Sequence, residues 1–398
     1  MPDAPLMQGF PPAPEGQVTL ENWLRPPFNR WSFQHVREIV PTAGILRPQG
    51  RSSLLRRSPR AIERIAFQAP DGSESTIGKL LDETFTDGFL VMHRGTVIDE
   101  RYDNRLTPSS RHIVFSVSKS ITATMAGVLV DRGQLDPDSP VTRYIPEVAG
   151  SAYGDCTVRH VLDMTVSVNF VEDYLDKTGD FARYRDSTGW IPITDPNKLG
   201  DLRSFLATMK RGAEPHGTRF HYVSPNSDLL GWILERATGE RYASLLTELL
   251  WRPMGAEFDA DIAVERRGAA RAAGGISASL RDLARFGEMM RCRGMVAGRQ
   301  VIPGWWIDDI RRNGDEAAWN KGDLAHMLPG GRYRSKWYSV GNDHDAFCAI
   351  GIHGQWIYVD PAAEAVIIKV SSQPLALDDP MDKLLLAGFK GLCKALSR

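Results

Sequence analysis

The stretch Phe115-Ser116-Val117-Ser118-Lys119-Ser120 decides the fold prediction for this chain of 398 residues. It places a serine three residues before a lysine, in a segment (113–130) where Lys119 is the only charged side chain. Residues at i and i+3 share one face of a helix, so Ser116 and Lys119 are expected to lie within reach of each other. The apolar surroundings predict a helix over about 117–131 that is buried on most sides.

This spacing suits nucleophilic catalysis. A serine hydroxyl is a poor nucleophile until a base removes its proton. A lysine serves as that base only if burial or a nearby cation destabilises its ammonium form. At the N-terminus of a helix, backbone N–H groups also favour a developing oxyanion. However, an S-x-x-K arises by chance about once in a chain of this length, and most lysines are solvated surface residues, so further motifs are needed.

A second motif is Phe220-His221-Tyr222-Val223-Ser224-Pro225-Asn226, which precedes a helix predicted over about 225–237. Ser224 is a good N-cap residue, and proline is favoured in the first turn of a helix. A tyrosine at this place could relay protons between the nucleophile and the leaving group. Taken alone, Tyr222 would more often be a buried aromatic residue with one satisfied hydroxyl.

A third motif, Ala349-Ile350-Gly351-Ile352-His353-Gly354-Gln355, lies on a predicted strand. Small residues let a substrate approach the strand edge, where a backbone N–H can donate a hydrogen bond to an oxyanion. A strand with a glycine bulge would explain the same pattern without any function.

The remaining pattern predicts an α+β chain in which both ends build one antiparallel sheet. Residues 88–104 predict a hairpin around His93-Arg94-Gly95, and Ser279 and Asp282 predict the start of another helix. The polar and aromatic stretch 170–198 has no clean period and predicts a large loop region. The C-terminal part predicts four strands, YRSKWYSV (333–340), DAFCAIGI (345–352), QWIYVD (355–360) and AVIIKVSS (365–372), and a final helix over about 380–396.

Composition narrows the classes of function. The net charge of −1 gives no reason to expect binding to nucleic acid or to an anionic membrane. The beginning of the chain lacks a signal-peptide pattern, and no run is apolar enough for a transmembrane helix. Scattered cysteines without C-x-x-C spacing predict reduced thiols in a cytoplasmic protein, with neither a disulfide framework nor a zinc site. These cysteines are Cys156, Cys292, Cys348 and Cys393.

In this order, the three motifs resemble those of the penicillin-recognising serine hydrolases, which include class C β-lactamases, DD-peptidases and related esterases. More narrowly, NRWSF (29–33), EDYLD (172–176) and GIHGQ (351–355) resemble the 6-aminohexanoate-dimer (nylon oligomer) hydrolases. The resemblance implies a β-lactamase/transpeptidase-like fold, an antiparallel sheet flanked by helices. Its predicted parts are an N-terminal arm (1–84), a sheet domain (85–150 and 266–398) and a mainly helical insertion (151–265).

The resemblance also implies roles for individual residues. Ser116 would be acylated, and Lys119 and Tyr222 would share the base and acid roles. The backbone N–H groups of Ser116 and Ile352 would form the oxyanion hole. No metal or organic cofactor is implied. The expected substrate contacts are Tyr174, which matches a loop tyrosine that closes over the substrate, Trp190, Ser224 and His353; which of Asp180, Arg185 and Asp186 faces the site is left open.

Two departures from the family pattern bear on the substrate. The usual Tyr-x-Asn is Tyr222-Val223-Ser224, and the usual Lys-Thr-Gly or His-Thr-Gly is Ala349-Ile350-Gly351. The second departure removes the cation and hydroxyl that commonly meet the carboxylate of a β-lactam. The sequence therefore predicts a serine hydrolase of linear amides or short-chain esters that resembles the 6-aminohexanoate-dimer hydrolases.

Several alternatives remain at this point. Within the fold they are a general carboxylesterase, a β-lactamase or DD-peptidase, and a binding module that lost its chemistry. Outside it they are a Ser-His-Asp hydrolase that uses His112 or His353, and a metallohydrolase, although the histidines are dispersed. The predicted partner is a small-molecule amide or ester, with no nucleic acid and no membrane, and a homodimer is left open.

Overall fold

A computed structural model describes residues 5–192 and 200–397 of the chain. One large mixed sheet forms its centre, and a smaller sheet lies beside the segment that carries Ser116. The strands are β1 (Thr42–Ile45), β2 (Arg56–Arg57), β3 (Ala66–Gln68), β4 (Glu74–Thr76), β5 (Thr86–His93), β6 (Thr96–Tyr102), β7 (His112–Ile113), β8 (Ala260–Ala263), β9 (Ile276–Ala278), β10 (Met295–Val296), β11 (Arg299–Gln300), β12 (Arg332–Arg334), β13 (Trp337–Ser339), β14 (Phe347–Gly351), β15 (Gln355–Asp360) and β16 (Ala365–Ser371).

Helices cover both faces of the large sheet and fill the middle of the chain. They are α1 (Asn29–Ser32), α2 (Ile77–Glu83), α3 (Val117–Asp131), α4 (Val158–Leu162), α5 (Asp180–Thr188), α6 (Leu202–Leu206), α7 (Ser224–Thr238), α8 (Tyr242–Leu246), α9 (Leu280–Arg291), α10 (Gly304–Arg312), α11 (Glu316–Asn320) and α12 (Asp379–Leu396). In the part of the chain that the structure describes, every helix is too short or too polar to cross a membrane.

The large sheet has the strand order β12-β13-β14-β15-β16-β5-β6-β2, so the two ends of the chain meet where β16 pairs with β5. Neighbouring strands are antiparallel except for β2, which runs parallel to β6. Successive side chains of a strand point to opposite faces, so Leu90 and Phe89 belong to different hydrophobic clusters on the two sides of the sheet. Helix α9 packs on one face and α2 and α12 on the other, which confirms the predicted fold class.

Helix α3 runs through the interior behind the sheet. Every residue from Val117 to Leu129 is buried, including Lys119, which confirms the prediction drawn from its lack of an amphipathic pattern. The helix packs against α7, α8, β14 and β15. Because all sides of α3 are covered, its first turn can reach the surface only where Ser116 borders a cleft.

Two predicted elements differ from the structure. YRSKWYSV is not one strand, because Ser335 and Lys336 both have positive φ angles and turn the chain back between β12 and β13. Within the predicted loop region 170–198, the chain forms α5, which Gly189 ends in the left-handed conformation; residues 193–198 of that region lie outside the described residues. The division into arm, sheet domain and insertion stays a prediction, and β8, inside the predicted insertion, pairs with β1 of the arm and with β9.

Candidate active site

Ser116 lies at the end of a strained turn that leads from β7 into α3. Phe115 has a φ angle of 41°, a left-handed conformation that bulky residues rarely adopt. Aromatic rings hold Phe115 in place: its centroid lies 4.9 Å from that of Phe33 and 5.4 Å from that of His353. The turn leaves Ser116 only 8% exposed, and it lines the cleft. The strain was not visible in the sequence, because it depends on rings that are distant along the chain.

Lys119 contacts the nucleophile candidate directly. Its Nζ donates hydrogen bonds to Ser116 Oγ at 2.8 Å and to the carbonyl of Ala273 at 2.6 Å. Burial lowers the pKa of the lysine to about 8, while the carboxylates of Glu172 and Asp228 act against this shift. At pH 8 a large fraction of Lys119 is therefore neutral and able to accept the Ser116 proton.

Tyr222 precedes α7 and faces the same pair of residues. Its ring centroid lies 5.1 Å from Lys119 Nζ, and its backbone N–H donates to an Asp323 carboxylate oxygen at 3.1 Å. Burial raises the pKa of the phenol above its ordinary value, an effect that hydrogen bonding to Ser116 and Tyr338 opposes. A phenol that keeps its proton beside the serine can deliver it to a leaving group.

The third motif approaches the serine from β14. A Cβ on Gly351 would lie 2.5 Å from the carbonyl oxygen of Val114 and 3.1 Å from the backbone nitrogen of Ser116, so only glycine fits. Among the described residues, the backbone N–H groups of Ser116 and Ile352 have no hydrogen-bond acceptor. Both residues line the cleft, and two unpaired donors on either side of a serine hydroxyl are what an oxyanion requires.

The cleft itself is a cavity of about 950 Å³. Next to Ser116 its wall is formed by Tyr222, Tyr338 and the end of β14, and Phe170 and Tyr174 continue the wall outward. The strand supplies Ile350 and no cation, as the sequence indicated. A cavity of this size accommodates an extended small molecule, and its wall also carries charged side chains, which include Arg211, Glu214, Arg219 and Asp323.

Tyr174 and Ser224 meet at a residue that sequence analysis missed, Glu172. One Glu172 carboxylate oxygen accepts from Tyr174 Oη at 2.8 Å and from Ser224 Oγ at 2.6 Å, and the other accepts from the Ser224 backbone N–H at 2.5 Å. Ser224 is therefore not an N-cap, since Val223 takes that position and no side chain caps α7. The sequence offered one signal for this contact. Ser224 stands where the family pattern has an asparagine, and its hydroxyl donates a hydrogen bond to the Glu172 carboxylate.

Trp190 and His353 lie behind the serine instead of along the cleft, and their direct contact with a substrate stays a prediction. Trp190 is buried against Trp23, whose indole N–H donates to the Trp190 carbonyl at 3.0 Å. His353 Nδ1 donates to the carbonyl of Gln373 at 2.7 Å, and burial lowers the pKa of its imidazole to about 4. Among the described residues, neither side chain lines the cavity, and we propose that both support Phe115.

Three charged residues on α5 had been left open as candidates. The Asp180 carboxylate pairs with Arg183, and Arg185 donates to the carbonyl of Asp176 and stacks on the ring of Phe181. Among the described residues that line the large cleft, Asp180, Arg185 and Asp186 are absent.

The geometry favours neither the Ser-His-Asp hydrolase nor the metallohydrolase. His112 Nε2 lies 3.1 Å from an Asp87 carboxylate oxygen, and its Nδ1 donates to the carbonyl of Ile113, so neither nitrogen is free to act on Ser116. Over residues 5–192 and 200–397, no three His, Cys, Asp or Glu side chains are grouped as a metal site would require.

A family model described as Beta-lactamase matches residues 76–388. The chain belongs to the β-lactamase family. Its sequence is 38% identical, over 366 residues, to a 6-aminohexanoate-dimer hydrolase of Paenarthrobacter ureafaciens, and the match covers 92% of this chain and 91% of that protein. An esterase, EstB of Burkholderia gladioli, is 32% identical over 144 residues, which is 35% of this chain and 36% of the esterase.

The fold agrees with this assignment. A solved structure from Bacillus anthracis, provisionally named a 6-aminohexanoate-dimer hydrolase, superposes with a TM-score of 0.86 at 25% identity and covers 97% of both chains. The predicted resemblance to the β-lactamase family and to the 6-aminohexanoate-dimer hydrolases is thus confirmed. This member of the β-lactamase family is a hydrolase of the amidase and esterase class.

Proposed function

We propose that the chain hydrolyses linear amides, of the 6-aminohexanoate-dimer type, and short-chain esters through an acyl-Ser116 intermediate. The observation that carries the proposal is the 2.8 Å contact between Lys119 Nζ and Ser116 Oγ in a buried site that opens onto the cleft. A serine paired with a base whose ammonium form is destabilised is the arrangement that nucleophilic catalysis needs.

In the first half of the proposed reaction, neutral Lys119 accepts the Ser116 proton while Oγ attacks the substrate carbonyl carbon. The backbone N–H groups of Ser116 and Ile352 donate to the oxyanion that forms. When the tetrahedral intermediate collapses, the bond to the leaving group breaks and the Tyr222 phenol supplies the proton that an amine requires. Lys119 then returns a proton to Tyr222.

In the second half, water attacks the acyl-Ser116 carbonyl, and the Lys119–Tyr222 pair takes up the proton of the water. The same two N–H donors stabilise the second oxyanion. Collapse releases the acid and returns the proton to Ser116 Oγ. Apart from the substrate and one water, every group in these steps belongs to the chain.

Beside the reacting carbonyl, the wall at the end of β14 favours an uncharged part of the substrate, whereas other parts of the cleft are lined by charged side chains that include Arg211, Arg219 and Asp323. Ile350 and Phe170 offer apolar surface, and an unpaired substrate carboxylate against such a wall would be costly. We therefore propose that β-lactams, which carry a carboxylate beside the reacting carbonyl, are poor substrates. A general carboxylesterase is the second candidate, because the match to EstB of Burkholderia gladioli connects the chain to an esterase. The cytoplasmic location and the homodimer stay predictions.

The deciding experiment compares kcat/KM for the linear 6-aminohexanoate dimer, p-nitrophenyl butyrate and nitrocefin. We expect turnover of the dimer and the ester, with nitrocefin at least about tenfold below the better of the two. An enzyme that hydrolyses the ester but not the dimer would be a carboxylesterase. If nitrocefin were the best substrate by more than about tenfold, the β-lactamase alternative would replace this proposal.

A further inference from the structure

Behind Lys119, on the side away from the cleft, lies a buried group of three polar side chains. Asp228 of α7 is 2% exposed and Arg271 is 5% exposed, and their side chains form an ion pair. The hydroxyl of Tyr184 on α5 donates a hydrogen bond at 2.5 Å to the Asp228 oxygen that faces Arg271, and it accepts one from Arg271 at 2.8 Å. Burying such an ion pair costs desolvation energy, so a buried pair beside the reacting groups is expected to have a role there.

The other carboxylate oxygen of Asp228 connects this group to the base. It accepts from the backbone N–H of Ala273 at 2.9 Å, and the carbonyl of the same Ala273 accepts from Lys119 Nζ at 2.6 Å. Of the two hydrogen bonds made by Lys119 Nζ, one therefore goes to the nucleophile and the other to a residue fixed by Asp228. Displacement of Ala273 would release the lysine from its orientation toward Ser116.

We propose that Asp228 and Arg271 together are positioning residues for Lys119, holding it through Ala273 and setting the charge that surrounds it. This inference rests on the proposed function, because it assumes that Lys119 is the base. Their two charges act on the lysine in opposite directions: the carboxylate favours its ammonium form and the guanidinium disfavours it. The ionisable groups around Lys119 are Glu172, Tyr222, Asp228, Arg271 and Lys336.

The proposal predicts pH shifts of opposite sign in two variants. In Asp228→Asn, the ammonium form of Lys119 loses an attractive charge and faces an unpaired Arg271, so the acidic limb of kcat/KM moves to lower pH. In Arg271→Met, Asp228 is left unpaired, so the limb moves to higher pH. Each shift should reach about 0.5 pH unit or more. Both variants should also lose about tenfold or more in maximal kcat/KM, because Ala273 is held less firmly.

The test measures kcat/KM for p-nitrophenyl butyrate against pH for the wild type, both variants, the double variant and Arg271→Lys. Arg271→Lys keeps the positive charge, so the acidic limb of its pH profile should stay at the wild-type pH. In the double variant, the acidic limb should return toward the wild-type pH. If circular dichroism shows that Asp228→Asn is unfolded, the comparison of Arg271→Met with Arg271→Lys still tests the proposal. The acidic limb should then move to higher pH in Arg271→Met only. Limbs that stay in place, or shift in the same direction, in both single variants would overturn the proposal.

Failure of this inference can be separated from failure of the proposed function. A wild-type protein that hydrolyses the ester and reacts with a fluorophosphonate probe at Ser116 supports the function, whatever the variants do. A wild type without ester turnover or labelling would refute the proposed function itself. Unchanged limbs in active, folded variants would refute only the positioning role of Asp228 and Arg271.

Discussion

Lys119 Nζ lies 2.8 Å from Ser116 Oγ, and burial lowers the pKa of this lysine to about 8. A general base must be unprotonated to accept the serine proton. We therefore expect kcat/KM for an uncharged ester to increase with pH and to level off above about 8. A pH–rate profile from pH 6 to pH 10 checks this. Lys119→Met keeps the apolar stem, and we expect it to lose at least about 10³-fold in kcat/KM; survival within about tenfold would identify Lys119 as a structural lysine.

Replacement of Ser116 by alanine should abolish both turnover and fluorophosphonate labelling while the circular dichroism spectrum stays that of the wild type. The matched control is Ser118→Ala. Ser118 Oγ accepts from the backbone N–H of Ile276 at 3.1 Å and takes no part in the proposed chemistry. Loss of the Ser118 hydroxyl should lower the free energy of unfolding by about 1 kcal/mol and leave fluorophosphonate labelling of Ser116 intact. Labelling that persists in Ser116→Ala would require a different nucleophile.

Tyr222→Phe removes only the hydroxyl and keeps the packing of the ring. An amine leaves only after protonation, whereas p-nitrophenolate leaves without it, so the loss in kcat should be larger for the amide than for the ester. We expect the two losses to differ by about tenfold or more. Equal losses on the two substrates would show that Tyr222 orients the substrate and does not transfer a proton.

Gly351→Ala should disable the site without touching a side chain of the mechanism. The new methyl group would lie 2.5 Å from the Val114 carbonyl oxygen, so β14 would have to move away from Ser116. Losing one oxyanion donor costs about 10²–10³-fold in kcat, and we expect a loss in this range. Gly150→Ala is the control, since a Cβ there meets no atom within 4 Å. Wild-type kcat in Gly351→Ala would exclude Ile352 from the oxyanion hole.

Lys336 is 1% exposed, and among the described residues its Nζ has no hydrogen-bond partner. Burial holds the pKa of this lysine well below its ordinary value. The unfolded chain takes up a proton here below about pH 10, which favours unfolding at neutral pH. Lys336→Met should therefore raise the free energy of unfolding by about 1–3 kcal/mol at pH 7, with a smaller gain as the pH approaches 10. Urea titrations measure the gain against the exposed control Lys321→Met; a decrease would show that the amine is stabilised.

Local patterns predicted the elements that carry the chemistry. The helix expected over 117–131 is α3, and the helix expected over 225–237 is α7 with one more residue at each end. The hairpin around His93-Arg94-Gly95 forms because Arg94 and Gly95 both take positive φ angles between β5 and β6. These features depend on residues close together in the chain, and for this reason the sequence was sufficient.

Contacts between distant segments could not be predicted in the same way. In the sequence, Glu172 is only an acidic residue in a predicted loop. Its hydrogen bonds to Ser224 form because two segments 52 residues apart in the chain meet at the cleft. Trp190 and His353 were expected to contact the substrate. Packing against the arm and against Phe115 instead places them behind the turn. The pair of Asp228 and Arg271 carried no local pattern at all.

The pairing of β16 with β5 has a consequence for the order in which a nascent chain can acquire activity. Ser116, Lys119 and Tyr222 emerge from the ribosome long before β14 and β16, which complete the large sheet and bring Ile352 to the cleft. Until residue 371 is synthesised, β5 presents an unpaired edge that readily pairs with other chains. Translation that stops early therefore yields a product with every side chain of the proposed mechanism but no formed site, and with a tendency to aggregate.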